Sequence, residues 1–182
     1  MIYETGKYYH VVNRGAHGQL VFVTDENYRF CCSLLAKYSD HYDVSLFAYC
    51  LMPNHYHLLV RQEEGGSVRL FLQTTFNAYA QAFNTITRHR GTLFQGRAKG
   101  KEVESDEYAL RVCRYIHRNP VKAKLVTNAA EWEFSDYRVW AGTQTSTMTN
   151  LGLRNGYFTD AGHYREWFSE LDNESDLSRF LI

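Results

Sequence analysis

Val44-Ser45-Leu46-Phe47-Ala48-Tyr49-Cys50-Leu51-Met52-Pro53-Asn54-His55-Tyr56-His57-Leu58-Leu59-Val60-Arg61 reads as two strands and a turn. Val44 to Leu51 is a near-continuous apolar run, the pattern of a buried central strand. Pro53-Asn54 supplies turn chemistry. His55 to Arg61 returns as the antiparallel partner. Alternate residues of a strand share a face. Tyr56, Leu58 and Val60 therefore point into a core, and His55 and His57 present two imidazoles on the other side. Two adjacent neutral imidazoles form half of a metal site. The same spacing also suits a pair of half-exposed strand histidines, so its meaning depends on a second element.

Outward from the hairpin, Tyr8 to Asn13 is β-branched and aromatic and predicts a first strand. Asp25 is the expected N-cap of a helix from Glu26 to His41, with Tyr28, Cys31, Cys32, Leu35 and Tyr38 at helical spacing. Ser67 caps a long helix to about Thr87, with Leu72, Phe76, Tyr79, Phe83 and Ile86 as its buried stripe. Gly100 to Glu104 predicts a short strand. Ser105 or Asp106 caps a third helix through Arg118, which Asn119-Pro120 interrupts before a further turn or two over Val121 to Val126. The order is β-α-β-β-α-β, an α+β ferredoxin-like antiparallel sheet, plus an added helix. Residues 1–126 read as the core domain. Residues 127–182, with Trp132, Trp140 and Trp167, read as an irregular C-terminal extension with a helix near Ala161 to Leu171 and a loose end.

The chain has 182 residues, 45% of them hydrophobic, enough for one domain with a real core. No apolar run is long enough for a transmembrane helix, and the N-terminus lacks the pattern of a secretory signal. Cys31, Cys32, Cys50 and Cys113 lack Cys-x-x-Cys spacing and read as reduced thiols. A cytoplasmic protein with no membrane partner is expected. The net charge is zero, but its distribution is uneven. Residues 88–124 carry 10 basic and 4 acidic side chains, while residues 125–182 carry 4 and 9. A basic block is the footprint of a phosphate-binding surface. It equally suits a solvated face docked against the acidic C-terminal segment.

On the third helix, Ala109, Val112, Cys113 and Ile116 form the expected buried stripe. Tyr115 lies off that stripe with Arg111, Arg118 and Asn119, and Arg114 lies just beyond. A phenol is only about a thousandth ionised at neutral pH. Cationic neighbours or a metal favour the phenolate, which would attack a phosphodiester. An ordinary surface tyrosine would look the same. Asn119, one turn on from Tyr115, either offers an amide oxygen to the histidine site or, with Pro120 after it, caps a following helix.

Three strings together resemble a known family: Tyr49 to Leu59, Leu93-Phe94-Gln95-Gly96-Arg97, and Arg114 to Ala123. They are similar to the REP-associated tyrosine transposases, relatives of the small insertion-sequence transposases within the HUH single-strand endonucleases. The resemblance covers about residues 5–140. It implies a ferredoxin-like core, Mg2+ or Mn2+, and cutting of single-stranded DNA beside a hairpin. His55 and His57 would be metal ligands and Tyr115 the nucleophile forming a 5′-phosphotyrosine. The third ligand in insertion-sequence relatives is typically a glutamine after the tyrosine. Here the shorter Asn119 stands one turn on, and His117 is a second candidate. Insertion-sequence members exchange helices in dimers, whereas a monomer is expected here. Arg88, Arg90, Arg97, Lys99, Lys101, Arg111, Arg114 and Arg118 are the candidates for DNA-backbone contacts, and Phe94 either stacks unpaired bases or belongs to the core. Two rival readings are a non-cutting regulator bound to hairpin DNA and a hydrolase that activates water.

Overall fold

The computed structural model describes residues 2–170. Its four strands are β1 (Tyr8–Arg14), β2 (Val44–Met52), β3 (His55–Gln62) and β4 (Lys99–Val103). They form one antiparallel sheet in the order β2-β3-β1-β4. Helices α1 (Asp25–His41) and α2 (Val68–Thr87) cover one face, and α3 (Asp106–Lys122) covers the other. The period of two along each strand divides the core accordingly. Tyr9, Val11, Tyr56, Leu58 and Val60 pack with Leu35, Phe71 and Tyr79. Cys50, Met52, Leu59 and Val103 pack with Val112, Cys113 and Ile116. The expected ferredoxin-like order and all four strands are present, with β4 starting one residue earlier than Gly100.

Several local expectations are corrected. The residue before α1 is Thr24, in extended conformation, and Asn27 Oδ1 accepts from the backbone N–H groups of Val23 and Thr24 at 3.1 and 3.2 Å. Asp25 is the first helical residue, where its carboxylate faces the positive helix end. Ser67 does cap α2, its Oγ accepting from Leu70 N at 3.2 Å. Ile86, at 75% exposure, does not belong to the buried stripe of α2.

β2 is an edge strand, although its apolar run predicts a central one. Its outer edge is covered by the C-terminal extension. Leu51 N donates to Phe134 O at 2.9 Å, Asp136 N to Tyr49 O at 3.3 Å and Asn150 N to Leu46 O at 2.7 Å. Covering an edge lets it be as apolar as a central strand without inviting another chain. A bulge between Leu46 and Ala48 turns Phe47 and Ala48 to the α3 side together.

α3 runs through Asn119-Pro120 without a break. Pro120 stands in its last turn, where the ring costs one backbone donor and Ala123 N still reaches Asn119 O at 2.9 Å. The chain leaves the helix at Lys124, in the left-handed region at φ 57°. Asn119 therefore caps nothing.

The extension is a packed layer, not an irregular appendage. It holds a 3₁₀ turn at Ala129–Glu131 and helices α4 (Tyr137–Trp140), α5 (Gly152–Tyr157) and α6 (Ala161–Ser169). The expected helix end at Leu171 and the loose end beyond it lie outside the described residues. Trp140 is fully buried and its Nε1–H donates to Phe47 O at 2.9 Å. Buried Asp136 accepts from Tyr49 N at 2.8 Å and Thr149 Oγ1 at 3.1 Å, and bonds His117 Nε2 at 2.9 Å. The extension thus shares one core with α3 and β2.

Candidate active site

His55 and His57 open β3, directly after the Pro53-Asn54 turn, as the spacing predicts. The turn is pinned on both sides. Gly15 N donates to Asn54 O at 2.8 Å, and Val21 N and Phe22 N both donate to Pro53 O at 2.8 and 3.0 Å. Gly15 is obligatory there, because a Cβ would stand 2.1 Å from Gln19 O. The two imidazoles lie 5.1 Å apart between centroids, nearly perpendicular. His57 is 5% exposed and His55 partly exposed, so only His55 resembles a half-exposed strand histidine.

A third histidine joins them. His10 on β1 is buried, and its Nε2 lies 3.0 Å from His57 Nδ1. The register pairs Val12 with His57 and His10 with Leu59, so His10 and His57 are diagonal neighbours on the α3 face. Burial lowers the pKa of all three imidazoles, that of His10 to about 4. They are neutral at physiological pH, the state in which imidazole is a ligand. Nothing in Tyr8 to Asn13 marks His10, because it has no histidine at alternate spacing. Only strand pairing brings it to His57.

Tyr115 faces these histidines. It is 6% exposed, lodged between α3 and the sheet, with its ring edge-on to His57 at 5.5 Å and to His10 at 5.9 Å. Its expected place on a cationic outer face is therefore corrected. α3 is sandwiched between sheet and extension, so residues off the predicted stripe are buried as well. A cation is nonetheless close, since Lys122 Nζ lies 5.6 Å from the Tyr115 ring centroid. Burial raises the phenol pKa, and a hydrogen bond with the Asn119 side chain opposes the rise. Asn119 Nδ2 also donates to Tyr115 O at 2.8 Å, one turn back.

The second candidate ligand, His117, is excluded. It is fully buried, with Nδ1 2.7 Å from Tyr164 Oη and Nε2 2.9 Å from Asp136 Oδ1, so both nitrogens are used.

The neighbours of the two imidazoles decide which ring nitrogens are available. His55 Nδ1 lies 2.7 Å from Asn54 Oδ1, an acceptor, so Nδ1 carries the proton and Nε2 keeps its lone pair. His57 Nδ1 is likewise engaged, by His10. Among the described residues no group of three or more His, Cys, Asp and Glu side chains is placed to hold a metal ion. The chain's own contribution is thus two imidazoles and whatever non-acidic donors stand near them.

The basic residues divide among several surfaces. Lys99 pairs with Val12 and Lys101 with His10, so both exposed lysines lie on the histidine face of edge strand β4. Arg88, Arg90 and Arg97 are exposed at the end of α2 and in the loop after it, and Arg111 is exposed on α3. Arg114 is corrected: it is 4% exposed, lies 4.8 Å from the Trp167 ring centroid and donates to Glu170 O. Arg118 is half-buried, 5.9 Å from the Phe168 ring centroid. Phe94 is 7% exposed and packs edge-on to Tyr56 and Phe76, which is the core role. All three rings line a cavity of about 500 Å³ on the α2 side, whose walls include Arg69 and Arg97.

No helix among the described residues is long and apolar enough to cross a membrane. No curated protein matches the chain. Among solved structures, a REP-associated tyrosine transposase bound to a REP hairpin aligns with a TM-score of 0.62 at 16% identity, over 84% of this chain and 93% of that one. A putative transposase from Deinococcus radiodurans R1 aligns with a TM-score of 0.45 at 21% identity, over 65% and 97%. The first likeness shows a shared fold. The sequence model of the family described as IS200-like transposases matches residues 4–119, a span that contains the histidine pair, most of the basic block and Tyr115. This chain belongs to the IS200-like transposase family.

Proposed function

We propose that this transposase nicks and rejoins single-stranded DNA beside hairpins, with Tyr115 as nucleophile and His55 and His57 holding a divalent cation, Mg2+ or Mn2+. The observation that carries the reading is the seating of the Tyr115 ring 5.5 Å from His57 on the sheet face where the histidines stand. Tyr115 Oη attacks the scissile phosphorus in line. A new O–P bond forms, the bond to the 3′ oxygen breaks, and the phenol proton passes to solvent. The products are a 5′-phosphotyrosine and a free 3′-hydroxyl. Attack by a 3′-hydroxyl on that phosphotyrosine reverses the step and joins strands. The cation, when bound, would draw charge from the phosphate and stabilise the crowded transition state. Asn119, whose side chain bonds Tyr115, remains the third-ligand candidate. Lys122 beside the ring favours the phenolate. Lys99 and Lys101, on the histidine face, would track the phosphates. The hairpin substrate is also supported by the related structure, which was solved with a REP hairpin. Tyr115 meets His57 of its own chain, which favours a monomer.

The burial of Tyr115 favours a second reading, a hairpin-binding regulator that does not cut. A denaturing gel separates them. The protein is mixed with Mn2+ and a labelled single-stranded hairpin library, beside Tyr115→Phe and a metal-free sample. A labelled protein band absent from both controls is expected. Binding without that band supports the regulator, and cleavage that survives Tyr115→Phe supports activated water.

A further inference from the structure

We propose that His10 is a positioning residue: it holds His57 in the Nδ1-protonated tautomer, so that the Nε2 lone pair is left free for a cation. The inference rests on the metal reading above. His10 Nε2 and His57 Nδ1 are 3.0 Å apart, and the two rings lie within 18° of parallel. A contact of 3.0 Å between two ring nitrogens leaves room for a single proton between them. If His57 donates it, His57 Nε2 is free to bind a cation. If His10 donates it, His57 Nε2 carries a hydrogen and cannot.

One observation points to the first arrangement, and a second keeps the contact in place. His55, the other imidazole of the pair, is held in the same way, with Nδ1 directed at an acceptor, Asn54 Oδ1, at 2.7 Å. Both imidazoles are then anchored through Nδ1, the arrangement that fixes ring plane and tautomer in metal-binding histidines. The second is placement. His10 is paired on both sides within the sheet and buried, and Tyr115 packs edge-on to its ring at 5.9 Å. Among the described residues, buried His10 Nδ1 has no hydrogen-bond partner. Leaving a buried polar atom unpaired costs about 1–3 kcal/mol, a cost that a histidine serving only as packing, replaceable by an apolar ring, would not require.

The test uses His10→Phe, which keeps the ring and removes the acceptor, and His10→Gln, whose side-chain oxygen restores one. Mn2+ binding is followed by electron paramagnetic resonance without DNA. His10→Phe should weaken affinity about 10- to 100-fold, and His10→Gln should recover most of the loss. Folding of each variant is checked by its thermal melt. Nitrogen-15 spectra of histidine-labelled wild type, without metal, read the tautomer directly and should show His57 protonated at Nδ1. A folded His10→Phe that binds Mn2+ like wild type, or a His57 with Nδ1 unprotonated in wild type, would overturn the proposal. Wild type with no affinity for Mn2+ would overturn the metal reading instead, leaving the nitrogen-15 result to decide what His10 does.

Discussion

At the scale of single residues, the chemistry was written in the sequence where it lies in local spacing. His55 and His57 are two apart and share a strand face. Tyr115 and Asn119 are four apart and share a helix face. His10 was not legible, because its partner is 47 residues away and only strand register joins them. Arg114 was misread for the opposite reason: a guanidinium reads as surface unless one knows that Trp167 covers it. The Tyr115–Asn119 contact carries a pH prediction. Burial raises the phenol pKa and Asn119 opposes it. Removing Asn119 should therefore raise that pKa further. Below its pKa the phenolate fraction grows about tenfold per pH unit. In Asn119→Ala, the alkaline rise of single-turnover cleavage should move to higher pH. An unmoved profile would show that phenol ionisation does not limit the reaction.

At the scale of elements, strands and helices followed from their periodicity, and what the sequence concealed was their neighbours. β2 looks central because the extension finishes its edge, and α3 is buried nearly all round because it lies between two layers. Asp136 is the joint between them, linking Tyr49 N on β2, His117 on α3 and Thr149 in the extension. Asp136→Ala would leave the Tyr49 amide and one His117 nitrogen buried without partners. A loss of about 3–5 kcal/mol is expected by urea denaturation, the range for breaking a buried polar network from one side. A loss below about 1 kcal/mol would mean that water replaces the carboxylate.

At the scale of the whole molecule, zero net charge hides a basic block over residues 88–124, and the fold spreads that block over two sheet faces. Lys99 and Lys101 are the members placed beside the histidines. For single strands each lost phosphate contact should lower the slope of log affinity against log salt by about 0.7. Replacing both lysines with Ala should flatten the slope for hairpin DNA by about 1.4. An unchanged slope would move the DNA path to another surface. The location of Tyr115 has one more consequence. In the proposed monomer the ring reaches histidines of its own polypeptide, and all the groups of the candidate site would be assembled by folding alone. Dilution cannot take such a site apart, so the rate per molecule should be the same in a cell holding a few copies as in a concentrated tube. Scarcity would then ration how many hairpins are met, without altering what happens at each one.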